Sequence, residues 1–521
     1  MTQADFTLCL NNQIEMKVKR KNIIRKKLLV FCLMLSMMIL KAGAADREQN
    51  NGWLLEIVKA YADAMIEKGR DVYGRENSPL FAAAMDRTTM SIGSRESFES
   101  IPGVRENDRS LGGANPQEDM ALYSILYELT GLTGDKKYAE EADKALEYFF
   151  KHCQSPETGL MAWGEHLYWD FREDACRGTD MHEIEGEWPF WDQSYRLAPE
   201  ASWRYVIGQW DNQIHCKETG DFSRHARWST RETFEGYEFP RYAGQMILDW
   251  ADALVREENA HRERRNELLN AITTIVGRME DNMDVSESGY LVAGRAESGD
   301  HINVVWLGSN LELARCLFKA ALLISATDKN LAKRMIDLAL KQDMGFHKAP
   351  HQITGGGGFA ATLHSRTGEP RFRSMNNPYT AVWATAYGQS THANMANYCY
   401  SRYVQLMDFD QELAGKYRKL ILAAADQYLT ATPDAEELQK PDAFAFVIEL
   451  MINAFSLTGE EKFLTRAVYF GRIGVDLFLD DGIPIPRATS EHSHYEAITG
   501  GPDFMHALLQ LFRQYKKHQN I

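Results

Sequence analysis

The sequence predicts an all-α protein in which helical hairpins close into an (α/α)6 or (α/α)7 toroid within a single domain. One kind of turn recurs, clearly at Leu132–Tyr138 and Leu457–Phe463 and more weakly at Ile324–Leu331. Each turn has a Gly or polar residues that end one helix, followed by charged residues that begin the next. Two segments, Ala381–Tyr387 and Ala443–Phe455, are apolar nearly all round, as expected for helices covered on every side.

Apolar residues at three-and-four spacing mark the other helices. We predict helices at about 53–68, 120–129, 139–150, 198–214, 239–258, 261–282, 304–325, 328–343, 378–406, 408–431, 442–456, 464–478 and 501–516. An open solenoid of helical pairs is the structural alternative. The irregular repeats, and the long polar and aromatic insertions on one set of connections, favour the closed ring. The absence of a linker in the sequence predicts one domain over residues 45–521.

The first 44 residues have the pattern of a signal peptide. Basic residues between Lys17 and Lys27 precede the uncharged apolar run Leu28–Leu40, and Ala42–Ala44 offers a small-residue cleavage site. The apolar run is shorter than the roughly 20 residues of a membrane-spanning helix. We therefore expect a periplasmic or secreted protein without a stable membrane anchor.

The charge balance excludes nucleic acid as an expected partner. The sequence has 58 Lys and Arg and 73 Asp and Glu; removing residues 1–44 takes away eight basic and two acidic side chains and leaves a net charge of −21. Binding to phosphates needs a basic face. Five widely spaced Cys remain, which indicates buried apolar residues with at most one disulfide.

The segments Met161–Asp170, His182–Trp191 and Asp221–His225 concentrate aromatic, His, Arg and acidic residues outside the helical pattern. Aromatic rings stack on sugar rings, Arg and His bind carboxylates, and Asp or Glu transfers protons at a glycosidic bond. These residue types together predict a site for a uronic-acid-containing glycan.

The predicted catalytic residues are carboxylates and a His in this region: Glu165, His166, Glu183 and Glu187. The aromatic neighbours of Glu165 should raise its carboxyl pKa, as a general acid requires. One of Glu183, Glu185 and Glu187 would then activate water. A helix cap or an Arg partner for Glu165, and a solvated acidic loop for the others, are the structural alternatives.

The predicted substrate-binding residues are aromatic and cationic, and Arg224 is expected to hold the substrate carboxylate. They are Trp163, Tyr168, Trp169, His182, Trp188, Arg224, His225, Arg487, His492 and Tyr495. The alternatives are a core role for Trp163 and Trp169, a structural Arg–acid pair for Arg224, and a ring-closing loop for 480–500.

Four motifs carry a resemblance to a known family. Residues 115–123 (NPQEDMALY), 155–166 (SPETGLMAWGEH), His182-Glu183 and 221–226 (DFSRHA) resemble secreted bacterial toroid enzymes that degrade uronic-acid polysaccharides, specifically glycoside hydrolase family 154, which is β-glucuronidase-like. The resemblance covers most of the chain and is specific between about 115 and 230. It implies a secreted glycoside hydrolase, a β-glucuronidase. We expect no cofactor for hydrolysis.

Two other functions remain open. A polysaccharide lyase would use Arg224, His225 and Tyr495 for β-elimination and would admit a divalent cation, whereas the spacing of the His residues indicates no metal site. A non-catalytic glycan-binding repeat protein would need the aromatic residues alone. The sequence leaves the oligomeric state open.

Overall fold

The computed structural model describes most of the chain between residues 51 and 518. The described ranges are 51–93, 97–256, 262–284, 289–294, 304–355, 358–370, 392–434, 436–479 and 482–518. The chain divides into two compact units, Met1–Glu56 and Ile57–Ile521. The first unit is described only at residues 51–56, which include the start of a helix.

The described residues form fourteen α-helices. In chain order they are α1 Gly52–Lys68, α2 Met120–Thr133, α3 Lys137–His152, α4 Trp191–Leu197, α5 Pro199–Asn212, α6 Pro240–Val255, α7 Arg262–Asp284, α8 Leu307–Ile324, α9 Lys329–Lys348, α10 His392–Leu406, α11 Gln411–Tyr428, α12 Pro441–Thr458, α13 Glu461–Phe478 and α14 Gly501–His518. Within the two predicted turns, α2 ends at Gly134 and α12 at Gly459. Both glycines have positive φ, because a Gly at a helix C-terminus adopts the left-handed conformation without steric cost.

The helices pack as a closed circuit, which confirms the predicted toroid. Helices α6, α8, α10, α12, α14 and α2 contact one another in this order, and α3, α4 and α5 continue the contacts from α2 back to α6. Helices α7, α9, α11 and α13 each pair with the preceding helix of that series. The contact between α14 and α2 joins the two ends of the described ring.

The connections before α2, α4, α6, α8, α10 and α14 contain short antiparallel strands. They are β1 Ala84–Met85, β2 Gly113–Ala114, β3 Leu167–Asp170, β4 Ala175–Gly178, β5 Met181–His182, β6 Ile214–Cys216, β7 Asp221–Phe222, β8 Ala226–Arg227, β9 Val304–Trp306, β10 Thr362–His364 and β11 Tyr495–Glu496. They pair as β2-β3-β4, β5-β8, β6-β7, β9-β10 and β1-β11. These pairings hold neighbouring loops together.

The structure bears on the predicted helix bounds, on the cysteines and on a candidate membrane span. Residues 304–306, predicted as helix, form β9, since the helix begins at Leu307. The predicted helical residues 378–391 lie outside the described residues. The five described cysteines are free, and three are buried. Helix α12 has the length and hydropathy of a membrane span, and 56% of it is buried in the protein as a core helix.

Candidate functional site

Two backbone pairings place Glu183 at the centre of the site. In the β5–β8 ladder His182 pairs with Ala226, so the next residue, Glu183, lies beside His225. On its other side Glu183 forms a parallel bridge with Gly164, and the N–H of Glu165 donates to the Glu183 carbonyl at 2.9 Å. Three segments that are distant in sequence therefore meet at one carboxylate.

Gly164 allows this close approach. Its φ is +93°, and a Cβ at this position would lie 1.9 Å from the carbonyl oxygen of Glu183. The side chain of Asn115 holds Gly164 from the opposite side, accepting from its N–H at 3.1 Å and donating to its carbonyl at 2.8 Å. Only glycine fits this conformation and spacing.

The Glu183 carboxylate is fully buried and contacts four polar side chains. Arg224 Nη1 donates to Oε1 at 2.7 Å, and the Tyr242 hydroxyl donates to the same oxygen. Nε2 of His225 lies 2.7 Å from Oε2, and Nε2 of His166 lies 3.3 Å from it. We call His166, Glu183 and His225 the histidine–glutamate cluster.

Asp108 extends this cluster outward. Its Oδ1 lies 2.9 Å from Nδ1 of His166, and its Oδ2 accepts from Arg105 Nε at 2.5 Å. A carboxylate on the second ring nitrogen fixes the orientation of an imidazole and directs its other nitrogen, here toward Glu183. Arg105 also pairs with Glu165 at the rim of the site.

The charged groups of the cluster shift the pKa values of Glu183 and His166 toward their ionised forms. Burial alone would raise the pKa of Glu183, but His166, His225 and Arg224 outweigh burial and hold it well below its ordinary value. Burial alone would lower the pKa of His166, but Asp108 and Glu183 raise it to about 9. Glu183 is therefore ionised.

The histidine–glutamate cluster has the donor set of a divalent transition-metal site. One donor atom from each of its three residues lies within 4.8 Å of the others. Oε2 of Glu183 lies 2.7 Å from Nε2 of His225 and 3.3 Å from Nε2 of His166, so the three atoms converge. Two imidazole nitrogens and a carboxylate oxygen suit first-row divalent ions, so these residues fit a metal. Asp108, Glu165 and His166 form a second, overlapping group.

The predicted catalytic carboxylates are not all in one place. Glu165 lies at the rim, paired with Arg105, which is the structural alternative foreseen for it. Glu187 is paired with Arg315 and Lys319 of α8, and these cations outweigh burial and lower its pKa. Of the four predicted catalytic residues, the structure brings together Glu165, His166 and Glu183. Glu187 anchors its loop to α8.

Two of the predicted sugar-binding rings belong to the core. Trp163 and Trp188 are buried, and their centroids are 4.7 Å apart within a cluster that includes Phe150. The prediction that they stack on a sugar is wrong, because other aromatic rings cover them. His182 is also fully buried; it accepts from Trp163 Nε1 at 3.2 Å, and burial lowers its pKa to about 3.

The remaining predicted substrate-binding residues lie in different parts of the structure. Tyr168 and Trp169 are half-buried on β3, and a contact between them and a sugar stays a prediction. Arg224 and His225 are in the site. Arg487, half-buried in the connection before α14, also stays a prediction.

The connection before α14 forms a separate group of polar residues. The carboxylate of Glu496 accepts from Arg109 at 2.8 and 2.7 Å and lies 2.8 Å from Nε2 of His494. His492 Nδ1 is 2.7 Å from the Thr489 hydroxyl. We call Arg109, His494 and Glu496 the arginine–glutamate cluster.

Tyr495 is buried beside this second cluster. Its hydroxyl is 3.2 Å from that of Tyr61 and 3.4 Å from Asp119 Oδ1. Burial and these neighbours raise its pKa well above its ordinary value. The predicted role of Tyr495 as a lyase base is therefore wrong, because the hydroxyl is sealed from substrate and hard to ionise.

Three residues at the site were not predicted from the sequence: Asp108 and Tyr242, which contact the histidine–glutamate cluster, and Arg241, which donates to the Tyr242 hydroxyl. Asp108 lies in a short 3-10 helix, Glu106–Asp108, and the other two begin α6. The pair Arg241-Tyr242 after Pro240 has the pattern of an ordinary helix start. Its one distinguishing feature in the sequence is its position directly after a long polar connection.

Comparison with known proteins places the site within a recognised region. A family model described as periplasmic pectate lyase matches residues 80–254, which include the whole histidine–glutamate cluster. A pectate disaccharide-lyase of Dickeya dadantii (strain 3937) is 23% identical over 132 residues, and the match spans 25% of this chain and 24% of the relative. These similarities agree with the uronate-glycan prediction; family 154 stays a prediction.

Among solved structures, remote likenesses extend over most of the chain. The GH76 α-mannanase of Bacteroides thetaiotaomicron has a TM-score of 0.47 at 10% identity, covering 92% of this chain and 99% of that chain. An unsaturated glucuronyl hydrolase specific for heparin has a TM-score of 0.44 at 9% identity, covering 91% and 99%.

Proposed function

We propose that this protein is an exported polysaccharide lyase that cleaves a uronate glycan by β-elimination with the help of a divalent cation. The observation that carries the proposal is the histidine–glutamate cluster, in which potential ligand atoms from three buried side chains lie within 4.8 Å of one another. The similarity of residues 80–254 to periplasmic pectate lyases supports the same reaction and location. We therefore place elimination ahead of hydrolysis, which the sequence favoured.

The chemistry of elimination explains the residue types. In elimination a base takes the proton from C5 of a uronate, the C4–C5 double bond forms as the C4–O bond breaks, and the departing oxygen takes up a proton. The carboxylate attached to C5 must be neutralised for the C5 proton to leave. A divalent cation held by His166, Glu183 and His225 would supply that neutralisation. Arg224 binds Glu183 through one nitrogen and keeps further N–H groups for the substrate carboxylate.

The protein residues around the cation-binding donors fix their geometry. Asp108 orients His166, and Tyr242 together with Arg224 fixes the Glu183 carboxylate. Because these supporting contacts are buried, the donors are positioned before any ligand arrives.

Hydrolysis is the second candidate, and Glu185 is the observation that favours it. Burial raises the pKa of this half-buried carboxyl to about 7, with Arg241 opposing the shift. The ionised Glu183 lies two residues away in the chain, so a carboxyl with a raised pKa and an ionised carboxylate occur in the same segment, which are the two kinds of group that glycoside hydrolysis uses.

One assay separates the candidates. The mature protein is incubated with polygalacturonate and with glucuronate-containing polymers, with Mn2+ or with a chelator. Elimination predicts ultraviolet absorbance from a new C4–C5 double bond that the chelator suppresses. Reducing sugar without this absorbance, unaffected by the chelator and lost in Glu185→Gln, would establish hydrolysis instead.

A further inference from the structure

Tyr237, in the connection before α6, has a backbone conformation that a Tyr rarely adopts. Its φ is +61°, in the left-handed region, and the preceding Gly236 has a φ of +79°. The left-handed conformation is easy for Gly and tolerated by Asn and Asp, but for a bulky side chain it is a steric outlier. Such outliers persist where the surrounding structure enforces them, and they cluster at active sites and at sites that clamp a ligand.

Contacts on both sides hold Tyr237 in this conformation. Its carbonyl accepts a hydrogen bond from the N–H of Arg224 at 3.2 Å. The next residue, Glu238, is buried, and its carboxylate accepts from Arg278 Nη2 and from Asn282 Nδ2 of α7, both at 2.8 Å. The segments that build the site therefore impose the left-handed backbone, and they fix the place of the Tyr237 ring.

The Tyr237 ring lies against the histidine–glutamate cluster. Its centroid is 5.2 Å from that of His225, and the two ring planes are at 50°. Tyr237 is half-buried, so part of the residue is open to solvent beside a proposed metal ligand. Among the residues that the structure describes, its hydroxyl has no hydrogen-bond partner. The side chain is therefore not tied into the fold through its polar end.

Two other rings at the site are already covered by a guanidinium. Arg227 lies over Phe234, with its Cζ 5.1 Å from the ring centroid. Arg224 lies over Phe239 in the same way, at 4.8 Å. No cation of the described part of the chain lies over Tyr237. Of these three rings, that of Tyr237 is the one against which a ligand can pack without displacing an Arg.

We propose that Tyr237 is a sugar-stacking residue, whose ring packs against the pyranose that reaches the histidine–glutamate cluster. The C–H groups on one face of a pyranose are apolar and suit the face of an aromatic ring. The inference rests on the proposed function for the presence of a sugar. It supplies the aromatic contact that the sequence assigned to Trp163 and Trp188, and it gives Tyr237 a role in binding and none in proton transfer.

The test removes the ring and the strained backbone together. Because Gly adopts positive φ without cost, we expect Tyr237→Gly to have a midpoint of thermal unfolding no lower than that of the wild type. Trigalacturonate and a glucuronate-containing tetrasaccharide are titrated calorimetrically into the full mature chain, with a chelator to prevent turnover. The oligosaccharide that the wild type binds should bind roughly tenfold more weakly to Tyr237→Gly, and within about threefold of the wild type to Tyr237→Phe, which keeps the ring.

Two controls separate stacking from support of His225. A ring that only covers the imidazole would influence the metal, so Mn2+ affinity should be the same in the wild type, Tyr237→Phe and Tyr237→Gly. Met90→Gly is the matched backbone control. Met90 has a φ of +55° in a turn where its N–H donates to the Asp86 carbonyl at 2.8 Å. Its replacement should relieve a similar strain and leave glycan affinity unchanged.

The outcomes distinguish this inference from the proposed function. Equal glycan affinity in the wild type and Tyr237→Gly, an equal loss in Tyr237→Phe and Tyr237→Gly, or a changed Mn2+ affinity would overturn the stacking role and leave elimination in place. Failure of the wild type to bind either oligosaccharide would overturn it as well. If no uronate polymer yields an unsaturated product while binding still depends on the Tyr237 ring, elimination is wrong and the stacking residue stands.

Discussion

The histidine–glutamate cluster and the arginine–glutamate cluster have similar residues but different hydrogen bonding. Both have a fully buried Glu surrounded by His and Arg. Around Glu496 the carboxylate oxygens accept from Arg109 and lie beside His494. Around Glu183, the Nε2 atoms of two imidazoles converge on one oxygen, Oε2, as the ligands of a metal ion would. The comparison teaches that the convergence of several potential ligand atoms on one point, rather than residue types, distinguishes a site that can bind a metal ion from one that stabilises the fold.

Replacing Glu183 should have the largest effect on activity. Glu183→Gln removes the charge that a cation needs, so we expect turnover to fall by roughly 10²–10⁴-fold, equivalent to several kcal/mol of transition-state stabilisation. Calorimetry with Mn2+ should show a parallel loss of binding. Normal turnover in this variant would mean that the two clusters are both structural.

Breaking the second cluster should affect stability instead. Arg109→Met leaves Glu496 as a buried charge without its main partner, which costs about 3–5 kcal/mol. Denaturant unfolding measures the loss, while activity per folded molecule should be unchanged. Arg513→Met is the control, because its pair with Glu128 is exposed and should contribute less than about 1 kcal/mol. A selective loss of activity in Arg109→Met would place this cluster in the site.

Asp108→Asn should have an intermediate effect. The carboxylate that orients His166 becomes neutral without a change of shape, and we expect metal affinity to fall by roughly 10–100-fold. Titration with Mn2+ measures the change, and thermal unfolding controls for folding. An unchanged Mn2+ affinity would show that His166 does not depend on the Asp108 carboxylate.

Acid should affect the second cluster through Glu496. Burial alone would raise its pKa, but Arg109 and His494 outweigh burial and lower it. A lowered carboxyl pKa contributes stability that is present at neutral pH and is lost as the pH falls from about 4.5. Glu496→Gln should therefore have a shallower decline of unfolding free energy below this pH than the wild type. An identical acid limb in both proteins would contradict this assignment.

Glu165→Gln should have the smallest effect. The carboxylate is paired with the partly exposed Arg105 at the rim, so we expect turnover to fall by less than about tenfold if the reaction is elimination. If Glu165 were the general acid of a hydrolase, the loss would be roughly 10²–10⁴-fold. Steady-state kinetics on one polymer distinguishes these outcomes.

The sequence was informative where the signal was local. Apolar periodicity and the turns after α2 and α12 predicted the ring of helices, and aperiodic polar segments contained His166, Glu183 and Arg224. The sequence did not predict the features that depend on contacts between residues distant in the chain. Nothing local shows that Asp108 meets His166, or that Trp163 faces other rings and not solvent, because both depend on how separate loops pack.

Gly164 shows that intolerance to substitution does not by itself identify a residue that takes part in the reaction. It carries no reactive group, yet any side chain would collide with the Glu183 carbonyl and push the two bridged segments apart. In a saturation mutagenesis screen scored by activity, this position should be as intolerant as Glu183 itself. Only a readout of metal affinity and of folding, taken together, would separate a residue that shapes the site from one that reacts in it.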